Sequence, residues 1–220
     1  MVDITKLNQY ITEDRLIRHA WTDLDAQGRE TACLLAAMSP EVAAEEDASE
    51  CPTDIMPQWL AYLTPWMSDE GSAEAWPGMI RRYAAVAARW HVLSDETWRR
   101  LYYTARRIAL EDYLLVSGNA KPAIDGVIAL LRRAEAGAAV AAILASAVAE
   151  ALDPRLVAAA AAEAAAEGAE AAAEDAWVAW RAAAGPAARA ATADRITAAI
   201  LAAIENACDK AEKELHNECV

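Results

Sequence analysis

Apolar residues recur every three or four positions along almost the whole chain, and that period predicts helices. Thr12 is placed to cap a helix whose Leu16, Ile17, Ala20 and Trp21 share one face, broken by Asp25 to Gly28. A second helix is expected over about 29–38. Ser39-Pro40-Glu41 restarts the pattern with a capping hydroxyl, a proline at the first helical position and an early acid. An acidic loop follows over 45–52. Pro57 opens a helix carrying Trp59, Leu60 and Leu63 that is expected to stop near Pro65, and 68–75 reads as another acidic loop. Pro77 begins a helix reaching about Leu93, with Ile80, Ala84, Ala87 and Trp90 on one side. Ser94 caps the next, which shows Trp98, Leu101, Tyr102, Ala105 and Ile108.

The later half continues in longer elements. Helices are expected over 122–136 and over 138–152, the second nearly all apolar and so read as a buried central helix. Asp153-Pro154 starts a long helix towards Ala184, with Gly168 a weak point inside it. Gly185-Pro186 ends that element, and a last helix carries Ile196, Ile200, Ala203, Ile204 and Ala207. No segment alternates with a period of two, so little or no strand is expected. The fold class read from this pattern is all-α.

Composition divides the chain. Six of the eight Trp and all six Tyr lie before residue 114, and there is no Phe; residues 1–120 hold 18 Ala against 40 in 121–220. Large rings can fill the first core, whereas Ala removes little apolar surface and demands close helix packing. The breakers Ser117-Gly118-Asn119, followed by Pro122, mark the junction. Two domains are expected: an aromatic-packed helical part over 1–118 and an Ala-rich antiparallel bundle over 122–220.

With 56% hydrophobic and 25% charged residues the chain can bury a core. Its net charge of −14 argues against direct contact with nucleic acid and with anionic membranes; it permits a basic partner or serves solubility alone. No apolar run reaches the roughly 20 residues of a spanning helix. The first residues, MVDITK, lack the basic and then apolar segments of a signal peptide, so the cytoplasm is the expected compartment. Four Cys are too few for a disulfide framework, and Cys33 sits in an apolar run suited to a buried thiol.

Four features carry candidate chemistry. Glu163, Glu167, Glu170 and Glu174 share a helix face, Asp175 adjoins them, and no Lys or Arg lies between Arg155 and Arg181. They make either a docking stripe for a basic partner or a plain solvated face. Metal binding of the di-iron kind would need Glu-x-x-His, which the chain lacks. Asp209, Glu212, His216 and Cys219 fall at helical spacing near the C-terminus; Lys210 and Lys213 make ordinary ion pairs the simpler reading than zinc. His91, close to Asp95, could pair as base and orienter, or rest on its own helix end. Trp177 and Trp180 lie one turn apart in the Ala-rich half, where few partners are large enough to cover both, so an interface is expected there. Nucleotide-binding glycine motifs and a nucleophile elbow do not occur, and no cofactor or metal is expected.

The stretches 11–21 (ITEDRLIRHAW), 30–40 (ETACLLAAMSP) and 75–83 (AWPGMIRRY), with the later segment 193–204 (ADRITAAILAAI), resemble uncharacterised Ala- and Trp-rich helical proteins encoded in bacterial prophages. The resemblance implies a phage or mobile-element setting and assigns no catalytic residue. Together these readings point to a non-enzymatic acidic interaction protein that binds a basic protein partner and so blocks a host nucleic-acid-handling or defence complex. The partner-binding residues would be Glu163, Glu167, Glu170, Glu174, Asp175, Trp177 and Trp180. Two alternatives stay open. One is a small-ligand binder or enzyme with a pocket between the halves, near Trp76, Trp90, His91 and Asp95. The other is a self-assembling homo-oligomer joined through Ala faces and the Trp pair.

Overall fold

The structure, a computed structural model, describes residues 4–117, 128–129, 131–132, 135–136 and 185–218. Helix dominates, as the apolar period predicts. In chain order the elements are α1 (Thr5–Thr12), β1 (Thr22–Leu24), β2 (Glu30–Ala32), α2 (Pro40–Glu45), a 3₁₀ turn (Ala48–Glu50), α3 (Gln58–Asp69), α4 (Trp76–Ala87), a second 3₁₀ turn (Trp90–Val92), α5 (Asp95–Ser117) and α6 (Pro186–Glu218). Among the described residues no helix is long and apolar enough to cross a membrane.

The region before residue 39 corrects the sequence reading. Thr12 ends a helix rather than starting one, and its hydroxyl donates to the Asn8 carbonyl at 2.8 Å. Residues 13–21 are not helical. Asp14 and His19 have φ of 53° and 64°, left-handed values that break a helix. Backbone bonds from distant residues hold the segment instead: Ile17 N–H donates to the Ala32 carbonyl at 2.9 Å, and Cys33 N–H to that of Trp21 at 2.8 Å. Arg15 reinforces them, with its guanidinium 4.3 Å from the Tyr10 ring centre and its Nε donating to the Glu30 carbonyl. The expected helix over 29–38 is a strand and a turn. β1 and β2 pair antiparallel, Thr22 opposite Ala32 and Leu24 opposite Glu30, across a turn where Gly28 adopts φ 74°. Every residue from Thr31 to Ser39 is buried, so this run crosses the interior rather than lying on it as an amphipathic helix.

Other boundaries follow local chemistry. Ser39 Oγ accepts the Val42 N–H at 3.2 Å with Pro40 inside the first turn, and Ser94 Oγ accepts the Thr97 N–H at 3.2 Å. Pro65 does not stop α3, which runs on to Asp69. A proline inside a helix costs about 3 kcal/mol. Burying side chains such as Leu60 and Met67 returns about 1.5–3 kcal/mol each, which offsets it.

The chain packs as two compact units: Met1–Trp98 with Pro186–Val220, and Arg99–Gly185. This division differs from the boundary expected at 118–122, because α6 returns to pack on α3, α4 and the second 3₁₀ turn. Ala193, Ile196, Ile200, Leu201, Ile204 and Cys208 form its buried stripe. The core it covers is aromatic, as expected. Tyr83, Trp90, Trp98 and Trp59 make an edge-to-face chain with centroids 5.7, 5.9 and 6.2 Å apart. The Thr64 hydroxyl donates to the Leu60 carbonyl at 2.8 Å, so Tyr83 O–H must donate to Thr64 Oγ1, also at 2.8 Å.

In the second unit, Arg107 donates to Glu111 and Glu135, and Arg132 to Glu111, all at 2.7 Å. The expected Ala-rich helices over 138–184 lie outside the described residues.

Candidate functional site

Glu163, Glu167, Glu170, Glu174, Asp175, Trp177 and Trp180 lie outside the described residues. Within the first unit a different acidic surface is fully defined. Residues 30–80 contain ten Asp and Glu and no Lys, Arg or His. Glu41, Glu45, Glu46, Asp47, Glu50 and Asp54 are all exposed and fall within fourteen residues. They sit on α2, the first 3₁₀ turn and the start of the next loop.

That backbone is pinned from beneath. Val42, Ala48, Cys51 and Met56 are buried under the carboxylates. Glu46 closes α2 in the left-handed conformation, φ 55°, with its N–H on the Val42 carbonyl. Asp47 then caps the 3₁₀ turn by accepting the Ser49 N–H at 2.8 Å, a bond that holds its carboxyl below the usual range. Gln58 Nε2 reaches from α3 to the Ala48 carbonyl at 2.9 Å. Tyr62, one turn further along the same stripe of α3, is 57% exposed. Among the described residues none of Glu45, Glu46, Glu50 and Asp54 pairs with a cation. The result is a pinned run of exposed carboxylates, with the exposed Tyr62 ring one turn along α3 from the Gln58 that holds it.

The other candidates resolve into structure. Asp209 and Glu212 both hold Arg89 of the segment following α4. Arg89 donates to both carboxylate oxygens of Glu212, at 2.9 and 2.8 Å, and to Asp209 Oδ1. His216 is exposed and Cys219 lies outside the described residues. Among the described residues no group of three or more His, Cys, Asp or Glu could hold a metal. The hydrogen bonds from Arg89 hold both carboxyls below the ordinary range. A depressed folded pKa contributes stability above the unfolded value, about 4, and loses it as pH falls through the folded one. The clamp is therefore expected to contribute at neutral pH and vanish in acid. Urea midpoints measured between pH 7 and pH 2 should show a shallower acid decline in Arg89→Gln than in the parent.

His91 Nδ1 lies 3.1 Å from the Ala88 carbonyl, the helix-end contact rather than a pairing with Asp95. Trp90 is buried in the aromatic core, and Trp76 lines a cleft of the first unit. The thiols of Cys33, Cys51 and Cys208 are buried, and burial raises all three, Cys51 and Cys208 to about 11. They are protonated at neutral pH and are poor nucleophiles.

Reasoning from sequence missed three features. Arg89, which anchors Asp209 and Glu212, and Asp194, whose Oδ1 accepts the Ser72 N–H at 3.0 Å, join residues more than a hundred positions apart, which no local pattern reveals. The cation-free run over 30–80 is countable in the sequence, but the helical pattern divides its acids between separate loops. No protein-family model matches the chain, and no curated protein and no solved structure matches it.

Proposed function

We propose that the protein works in the cytoplasm as a non-enzymatic interaction protein whose acidic surface binds a basic protein partner. The observation that carries this reading is the array Glu41, Glu45, Glu46, Asp47, Glu50 and Asp54, exposed on a pinned backbone and paired with no cation among the described residues. Carboxylates fixed close together repel one another, and an incoming Lys- and Arg-rich surface relieves that repulsion while losing little freedom of its target. Summed charge of one sign also speeds encounter at low ionic strength. Tyr62 supplies an aromatic anchor beside the charges, the kind of residue enriched at binding hot spots. The stripe Glu163, Glu167, Glu170 and Glu174 with Asp175, and the pair Trp177 and Trp180, extend the same chemistry in the other unit. Nucleic-acid-handling proteins are a natural class of partner, because their binding surfaces are basic.

Pull-downs from host cytoplasm, read by mass spectrometry across a salt series, test the proposal. The parent is expected to retain basic proteins with an affinity that falls steeply with salt. A variant carrying Glu45→Gln, Glu46→Gln, Glu50→Gln and Asp54→Asn is expected to lose at least tenfold, and Glu163, Glu167, Glu170 and Glu174 all changed to Gln to lose less. Retention of the same proteins with unchanged affinity and salt slope by both variants would overturn it.

A further inference from the structure

A half-open cleft of about 210 Å³ lies within the first unit, between the loop joining α3 to α4, the first turns of α4, and α6. Its walls are mostly apolar, with Met67, Trp76, Met79 and Leu201 among them. The Trp76 indole N–H and the Thr197 hydroxyl are buried to the last atom, so neither offers the cleft a donor. Two charged residues line it, Arg82 and Asp194, and their circumstances differ. Arg82 crosses from α4 to α6, donating to Glu205 at 2.8 Å and to the Ala198 carbonyl at 3.3 Å, so its charge is already matched. Asp194 has no such counterpart. Its Oδ1 accepts the Ser72 N–H at 3.0 Å, while its Oδ2 keeps accessible surface and has no partner among the described residues.

That carboxylate is held in place by the loop. The Ser72 N–H fixes one oxygen, and a Cβ on Gly71 would stand 2.7 Å from the same atom, so the bare backbone lies directly against it. Arg18 pins the same loop by donating to the carbonyls of Asp69 and Gly71. A fixed carboxylate oxygen with its lone pairs open calls for a cationic donor. Hydrogen bonds between two ions are about twice as strong as neutral ones, and apolar walls weaken the screening by water. A metal ion is the wrong cation. Asp194 is the one acidic residue among those lining the cleft, and among the described residues no group of three or more His, Cys, Asp or Glu could hold a metal.

We propose that this cleft binds a small organic amine, its ammonium donating to Asp194 Oδ2 and its apolar body lying against Met67, Trp76, Met79 and Leu201. An ammonium only donates, which suits an oxygen that only accepts. Apolar cavities of about 150 Å³ hold benzene, so the size fits a single six-membered ring with a short aminoalkyl arm. A ligand of so few atoms is expected to bind with a Kd of about 1 mM or tighter.

Benzylamine, a cation at neutral pH, and benzyl alcohol, its neutral counterpart of the same shape, are the first probes. They are titrated into the full chain at fixed ionic strength and followed by amide resonances in ¹⁵N–¹H spectra. Benzylamine is expected to shift the amides of Gly71, Ser72 and Ala198 saturably, and benzyl alcohol to bind about fivefold more weakly. Methylamine, the charge without the ring, is expected to bind about tenfold more weakly than benzylamine or worse. A lysine side chain of a protein would bring the same ammonium, so Nα-acetyllysine amide is the fourth probe; its flexible chain is expected to bind about fivefold more weakly than benzylamine. Asp194→Asn keeps an oxygen for the Ser72 N–H and removes the charge, and is expected to weaken benzylamine about fivefold and benzyl alcohol hardly at all. Glu45→Gln with Glu46→Gln removes charge elsewhere and is expected to leave benzylamine binding as it was. Ala198→Leu, or Ala75→Leu should the first variant fold poorly, fills the cleft from its exposed rim and is expected to weaken benzylamine about tenfold or more. No saturable shift with benzylamine, equal affinity for any of the other three probes, or indifference to Asp194→Asn would each overturn the proposal. So would an equal loss in the Glu45 and Glu46 variant, or full benzylamine binding in a well-folded filled variant.

Discussion

Trp90→Ala is expected to destabilise the first unit by about 3–5 kcal/mol, enough to leave a large fraction unfolded at 37 °C. Trp90 is 2% exposed and stands between two rings, 5.7 Å from Tyr83 and 5.9 Å from Trp98, both edge-to-face. Truncation removes the largest buried side chain of the core and strands both neighbours against a cavity that backbone on several elements cannot close. Trp90→Phe supplies the control. It keeps a ring for the two edge contacts and discards an indole N–H that has no hydrogen-bond partner among the described residues, so about half the cost is expected. Urea titrations followed by fluorescence and far-ultraviolet dichroism measure both. A shift under 1 kcal/mol for Trp90→Ala would mean that this aromatic chain is not the centre of the core.

Ile204→Ala is the second large effect, expected at about 2–4 kcal/mol. Ile204 lies on α6, is 1% exposed, and belongs to the stripe laid against α3, α4 and the second 3₁₀ turn. Its particular value is where the loss appears. If residues 186–220 complete the core of residues 1–98, the fluorescence of the aromatic cluster and the helical signal must move together to lower urea. A transition of the aromatic cluster that stays where it was, while helical signal alone is lost early, would separate α6 from that unit. Arg89 adds the electrostatic side of the same contact, since its acid-sensitive clamp on Asp209 and Glu212 joins the same two parts of the chain.

Several elements are legible in the sequence itself. The Ser39-Pro40 and Ser94 starts need only a hydroxyl and the backbone of the next turn, so their signal is complete within four residues. The stripe of α6 likewise repeats at helical spacing over several turns. Residues 13–38 misled the reading because Leu16, Ile17, Ala20 and Trp21 match a helical face by spacing alone. Their real environment is set by Ala32 and Cys33, which supply the hydrogen bonds. Pro65 misled it in the opposite sense, since local cost argues for a stop and tertiary burial outweighs it.

Acidity, too, was plain from the composition, but the face it occupies in the first unit was not. Carboxylates at 41–54 become one surface only because Val42, Ala48 and Met56 turn inward and Gln58 staples the turn to α3.

From its residues alone, then, this chain declares helices, an aromatic core in its first part and a strongly negative charge, because propensity, ring size and formal charge belong to residues and short windows. Which helix completes that core, which carboxylates share a face and where a cleft opens were decided by tertiary packing. Those properties depend on pairs such as Ser72 with Asp194 and Arg89 with Glu212, brought together across more than a hundred residues by burial that no local window contains.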